Sequence, residues 1–232
     1  MRAILYVCLA IVLASALFLL WPGLDLRAAF LFYRGGGAFL FNGSPAALAI
    51  HEAVPAMMQL AIAAILLLLA VDLYRRRPAA DAVRQAVYLA ACFIVGPGLI
   101  ANTLLKDNWG RPRPLQVTAF GGPDRFAPPL LIGDQCPSNC SFVAGDAAAI
   151  FAFLAFALLL PAGWPRRIGV IGVAALGSLM GIIRMGQGGH FLSDVVFAGL
   201  FMALVVLLLR RLLPAAQKNS PDLSIRQAQP RP

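Results

Sequence analysis

Apolar residues run along this chain in blocks long enough to cross a bilayer, and charges collect at the ends of the blocks. A spanning helix needs about 20 predominantly apolar residues. Residues 3–24, 53–71, 86–105 and 147–165 contain no charge, residues 168–183 form a shorter block, and residues 191–209 carry one acid near the start. Long basic side chains at the ends of the shorter blocks (Arg166, Arg167, Arg210, Arg211) can reach the interface and make up the length. The pattern predicts an all-α, integral membrane six-helix bundle over residues 1–213, followed by a polar, Pro-containing tail at 214–232. The first block is read as an uncleaved anchor. It is long, Arg2 is the only basic residue ahead of it, and no small-x-small site closes it before Trp21-Pro22-Gly23.

Composition agrees with a bilayer as solvent: 60% of residues are hydrophobic and 12% charged, against about 45–50% and about 25% in soluble domains. This excludes a disordered chain and a nucleic-acid-binding tail. The net charge of +9 is therefore read by position. Arg2, Arg75, Arg76, Arg77, Arg84, Arg166, Arg167, Arg210, Arg211, Lys218, Arg226 and Arg231 fall on one side, and the seven other basic residues on the other. The positive-inside bias makes the richer side cytoplasmic, with both termini on it. The expected location is a bacterial inner membrane. Two loops then face outward. Residues 25–52 mix Phe, Leu and Arg and predict a short interfacial helix. Residues 106–145 form a long Pro- and Gly-rich connection of the kind that carries function.

Orientation does not explain the outward basic residues. Lys106, Arg111 and Arg113 directly follow the third block, Arg184 follows the fifth, and His190 and Asp194 open the sixth. Ionisable groups at a membrane face are functional candidates by default. His190 and Asp194, four apart, share a helical face, so the carboxylate can accept from one ring nitrogen and leave the other for attack. The glycines at 186, 188 and 189 permit a turn that folds Arg184 back beside the imidazole. Arg offers phosphate a planar fork and Lys a point charge, which together suit phosphoryl transfer. Arg111 is expected at lipid headgroups. His51-Glu52 is expected to be an interfacial pair that could also line the path of the substrate. Cys136 and Cys140 are read as a disulfide or free thiols, since with His190 they would lack a fourth zinc ligand.

These residues resemble the type 2 phosphatidic acid phosphatase superfamily of membrane lipid phosphatases. Lys106 with Arg113-Pro114 fits that family's K-x6-R-P motif. Arg184, His190 and Asp194 fit S-R-x5-H-x3-D except that Ile183 replaces the serine. The family's P-S-G-H has its counterpart in Val143-Ala144-Gly145-Asp146. By this resemblance His190 is the nucleophile of a phosphohistidine intermediate, and Asp194 orients it. Lys106, Arg113, Arg184 and the Gly145 N–H bind phosphate, and no metal or other cofactor is implied. The implied partners are a phosphorylated membrane lipid and the bilayer, with no nucleic acid and no obligate protein partner.

Three departures qualify the resemblance. Ala144 and Ile183 remove hydroxyls that Ser141 or Ser138 could replace, and Asp146 stands where a histidine would protonate the leaving oxygen. An ordinary Asp, pKa about 3.9, serves as an acid only if burial raises it; otherwise the substrate must carry a good leaving group. The stretch Ser141-Phe142-Val143-Ala144-Gly145-Asp146 is similar to S-F-V-S-G-D/E in lipid A phosphatase-like members, which favours a lipid A-like substrate. Undecaprenyl pyrophosphate, phosphatidylglycerol phosphate and phosphatidic acid are the alternatives. So is a non-catalytic lipid-binding or transport protein on the same scaffold.

Overall fold

The computed structural model describes residues 1–74 and 80–213. The arginines at 75–77 and the whole of the predicted tail at 214–232 lie outside the described residues. Helix α1 (Arg2–Leu20) is followed by a short α2 (Gly23–Phe30), a small antiparallel hairpin of β1 (Tyr33–Gly35) and β2 (Ala38–Phe39), and the long α3 (Pro45–Tyr74). Helix α4 (Ala80–Phe93) passes into a π-helical stretch, Ile94–Lys106, that contains Gly96-Pro97-Gly98. Proline lacks the N–H that would bond four residues back, and here the wider helix begins within one turn of Pro97. After a long loop come α5 (Gly145–Phe151), α6 (Leu154–Leu159), α7 (Trp164–Gly186) and α8 (Leu192–Leu212).

Among the described residues five segments are long and apolar enough to cross a membrane: Arg2–Leu20, Pro45–Val71, Ala82–Lys106, Trp164–Gly186 and Leu192–Leu212. The block expected at 147–165 is shorter and divided. Gly145–Leu159 breaks between α5 and α6, where Phe153 and Phe156 bond back three residues instead of four. It stops before Pro161, and Pro165 already sits in the first turn of α7, where a missing N–H costs nothing. Lipid-facing side chains dominate α1, of which only Phe18 is buried.

Small residues bring the inner helices together. Ala147 and Ala148 of α5, Ala152 at its C-terminal end and Ala155 of α6 are fully buried, and both helices pack on α7 and α8. A Cβ on Gly177 would stand 2.4 Å from the Phe151 ring, and one on Gly181 would stand 2.2 Å from Val195. Close helix approach through small residues is how bundles in lipid gain van der Waals contact.

The segment at 25–52 differs from its expected form. Only Gly23–Phe30 is a separate short helix, and it is docked on α8 with Asp25 and Ala29 buried. The hairpin seats Tyr33, Phe39 and Phe120 in one aromatic cluster. Its continuation donates from Phe41 N–H to the Gly186 carbonyl at 2.7 Å. The cluster holds the hairpin on the long outer loop, and the backbone bond holds it at the end of α7.

Candidate active site

The α7–α8 turn builds the first part of the site. Gly188 has φ +69°, a conformation that suits glycine, and a Cβ there would meet Phe39 at 2.6 Å. Gly189 N–H bonds to the Arg184 carbonyl at 2.9 Å, and the Arg184 guanidinium lies so close over Gly189 that a Cβ would be 3.1 Å from Nη2. Arg184 is thus folded back toward His190. Asp194, in the first turn of α8, accepts from the Phe191 N–H at 2.7 Å, which satisfies a helix-start donor.

His190 is completely buried, and its Nδ1 lies 2.7 Å from the Ser141 carbonyl. A carbonyl only accepts, so Nδ1 carries the proton and Nε2 keeps its lone pair. Nε2 has no hydrogen-bond partner among the described residues. The expected direct His190–Asp194 bond is replaced by an indirect one. The Asp194 carboxylate is 3.7 Å from Nδ1, beyond bonding range. Its Oδ2 instead accepts from Ser141 Oγ at 2.5 Å. Asp194 therefore fixes Ser141, and the Ser141 carbonyl fixes the ring. Ser141 is corrected by the same geometry: expected at the phosphate, it is buried with its hydroxyl committed to Asp194.

Two backbone contacts place the segment before α5. Cys140 N–H bonds to the Lys106 carbonyl at 2.8 Å, and Ser141 N–H to the Arg111 carbonyl at 2.9 Å. Gly145 opens α5 under Lys106, since a Cβ there would be 3.2 Å from Nζ and 2.8 Å from Asn102 Oδ1. Arg113 donates from Nη2 to the Asn139 carbonyl at 2.8 Å. Cys136 and Cys140, which flank Asn139, form a disulfide; the zinc alternative is thereby removed. Among the described residues no group of three or more His, Cys, Asp or Glu could hold a metal.

Charge converges at this end of the bundle. Burial lowers the pKa of His190; Asp194 opposes the shift, while Arg184 and Lys106 add to it. Burial also lowers the pKa of Arg113, again with Arg184 adding to the effect. Positive groups thus crowd His190 and one another, as an anion site requires. A polar pocket of about 250 Å³ is lined by Arg113, Arg184, Gln187 and Gly189. An apolar cavity of about 800 Å³ runs between α3 and the α4 π-helical stretch and ends at Gly145 and Asp146.

Asp146 joins the two. Its Oδ2 is 2.9 Å from Arg184 Nε and 3.1 Å from His51 Nδ1, as close charge contacts without aligned hydrogen bonds. Asp146 thus bridges Arg184 of α7 and His51 of α3. His51, expected at the interface beside Glu52 and on the path of the substrate, is partly exposed and faces Asp146 across the helix interface.

Residues 83–218 match the model of the PAP2 superfamily. The chain belongs to the PAP2 superfamily. Among curated PAP2 relatives, a lipid A 4'-phosphatase of Francisella tularensis subsp. novicida (strain U112) is 37% identical over 191 residues, covering 80% of this chain and 84% of that protein. A lipid A 4'-phosphatase of Rhizobium leguminosarum is 32% identical over 222 residues, covering 88% and 94%. A third, from Rhizobium etli, is 36% identical over 143 residues, covering 61% and 55%. No solved structure matches the chain.

The PAP2 match begins after Asp25, which the sequence did not single out, and after His51, which the sequence placed no closer than the path of the substrate. Asp25 belongs to a buried network around Arg111. Arg111 is fully buried, against the expectation that it meets headgroups. It donates from Nε to the Ala127 carbonyl (2.9 Å), from Nη2 to Asp25 (2.7 Å), and from Nη1 to Ser193 Oγ (2.8 Å) and to Asp194. Its guanidinium lies 4.4 Å from the centroid of the Phe191 ring. Asp25 also accepts from Ser193 N–H and Oγ, at 2.8 and 2.6 Å. Burial raises the pKa of Asp25, against the pull of Arg111, in keeping with two carboxyls sharing one guanidinium.

Proposed function

We propose that this protein removes the 4'-phosphate, or an equivalent phosphomonoester, from a lipid A-like envelope lipid through a phosphohistidine at His190. Membership of the PAP2 superfamily, together with the likeness to lipid A 4'-phosphatases over most of the chain, makes it a membrane phosphatase acting on lipid phosphates. The finer reading rests on one observation: the proton of His190 is held at Nδ1 by the Ser141 carbonyl, so the lone pair of Nε2 is available for attack. Lys106, Arg113, Arg184 and the Gly145 N–H bind the phosphate and stabilise charge as the phosphoryl group transfers. Asp194 is a positioning residue acting through Ser141. The apolar cavity between α3 and α4 takes part of the lipid body, with its phosphate end toward Asp146 and Arg184.

The short Gly145–Leu159 segment serves as a sixth crossing, because α5 starts beside Lys106 and α7 returns to the same end at Arg184. The site faces the periplasm and both termini face the cytoplasm. The count of basic residues and the Cys136–Cys140 disulfide on the site's own loop both support this orientation.

The test is release of inorganic phosphate from lipid A in detergent, with mass spectrometry locating the phosphate lost. Wild type is expected to release it and His190→Ala to release none. Equal release by both would remove His190 from the reaction, and loss of a different phosphate would overturn the substrate assignment.

A further inference from the structure

We propose that His51, from α3, is the general acid and base of this reaction, with Asp146 as the carboxylate that positions it. The inference rests on the phosphohistidine reading above. The chain has two histidines in all, and both stand at this site. His190 is committed as the nucleophile, and Asp146 is committed to Arg184 at 2.9 Å. The arginines hold their protons throughout. The leaving oxygen of a lipid phosphomonoester is an alkoxide that departs slowly unless it is protonated, and an imidazole titrates in the range where such transfer works at neutral pH.

His51 also stands at the right seam. Leu48, three residues before it on α3, lines the polar pocket with Arg113 and Arg184. Val54, three residues after it, lines the apolar cavity with Asp146. A lipid phosphate bound with its anion in the first and its body in the second places the bridging ester oxygen between them, at the level of His51. Pro55 lies inside the helix four residues on and cannot donate to the His51 carbonyl, so α3 lacks a backbone bond at this turn. The imidazole keeps 36% of its side-chain surface exposed, enough to exchange protons with water. With Asp146 on Nδ1, Nε2 is left to face the substrate.

The step balances. Nε2 of His190 forms a bond to phosphorus as the P–O bond to the lipid breaks. The electron pair leaves with that oxygen, which takes the proton from Nε2 of His51. Water then attacks phosphorus, the P–N bond breaks, its pair returns to His190, and the proton lost by water restores His51.

The experiment compares His51→Gln with wild type on two substrates bearing the same acyl tail, an alkyl phosphate and a nitrophenyl phosphate. The nitrophenolate leaves without a proton, so only the alkyl ester needs the acid. The expected result, read in the first turnover as release of the alcohol or the nitrophenolate before the shared hydrolysis step, is a fall in the rate of phosphoryl transfer of about 10²- to 10⁴-fold on the alkyl ester and of less than about 10-fold on the nitrophenyl ester. The retained nitrophenyl activity also shows that the variant is folded. Equal losses on both substrates, or no loss on either, would overturn the role of His51 and leave the phosphatase reading standing. A failure of wild type to release phosphate from either substrate would overturn both.

Discussion

Replacing Arg111 tests whether the buried network beneath the site organises the catalytic histidine. Its guanidinium serves four acceptors through Nε, Nη1 and Nη2: the Ala127 carbonyl, Ser193, Asp194 and Asp25. Arg111→Ala leaves two buried carboxyls without their cation, and breaking a buried pair in this way costs about 3–5 kcal/mol. For a chain of this size each kcal/mol moves Tm by about 2–4 °C, so the expected fall is roughly 6–20 °C. Arg111→Lys keeps the charge but brings three N–H groups on one nitrogen to acceptors spread around a planar fork. At least one acceptor is then stranded, at a cost of about 1–3 kcal/mol. Trp109 reports on the same loop, with its ring 5.1 Å from that of Phe142 and its N–H on the Pro129 carbonyl at 2.6 Å. Melting followed by tryptophan fluorescence in a mild detergent, in a background with Trp21 and Trp164 replaced by Phe, therefore reads the change locally. Because Asp194 holds Ser141 and Ser141 holds His190, kcat should fall with little change in KM. An Arg111→Ala protein melting within about 2 °C of wild type with normal turnover would refute the scheme.

Ser141→Ala removes the hydroxyl bond to Asp194 but keeps the carbonyl that fixes His190. The expected loss in kcat is about 10-fold with KM unchanged, whereas a raised KM alone would restore Ser141 to the phosphate. Gly145→Ala puts a methyl group 3.2 Å from Lys106 Nζ, and steady-state kinetics should show kcat/KM down by about 10- to 100-fold; an unchanged value would remove Lys106 from contact with this helix start. With two histidines in the chain, ¹⁵N-histidine NMR in micelles resolves both rings. Burial lowers the pKa of His190, so its neutral, attacking form should persist as pH falls below the ordinary value of about 6.5. A midpoint at or above 6.5 for this ring would contradict that. The same sign applies to stability: the folded state resists protonation of His190, so this group favours folding above pH about 6.5 and less so as pH falls.

The crossing helices were legible because a bilayer leaves little choice, and long uncharged blocks have few other uses. The turn from Arg184 to Asp194 was legible because its parts lie within one loop and one helical turn. What escaped depends on distance along the chain. Asp25 meets Ser193 across 168 positions and Arg111 across 86, and no local period records such pairings. Arg111 beside Arg113 looked like a second surface cation, although one is wholly buried and the other lines the pocket. The break at Ala152-Phe153 was hidden by an alanine-rich stretch in which a tightened turn and a continuous helix have the same composition. Ser141 reads as a phosphate ligand in sequence because a loop hydroxyl carries no direction there; in the fold it turns to Asp194. A clue to the π-helical stretch was present in Gly96-Pro97-Gly98, inside a block otherwise read as uninterrupted.

The docking of α2 on α8 bears on how far such a site can be transplanted. The PAP2 family model covers residues 83–218, yet the carboxylate that braces Arg111 comes from position 25 and the imidazole facing Asp146 from position 51. A chimaera that swapped everything downstream of residue 83 into a relative would inherit a guanidinium with no guaranteed acid above it and an aspartate with no guaranteed base. Exchange between such proteins is expected to succeed only when the leading third of the chain travels with the rest.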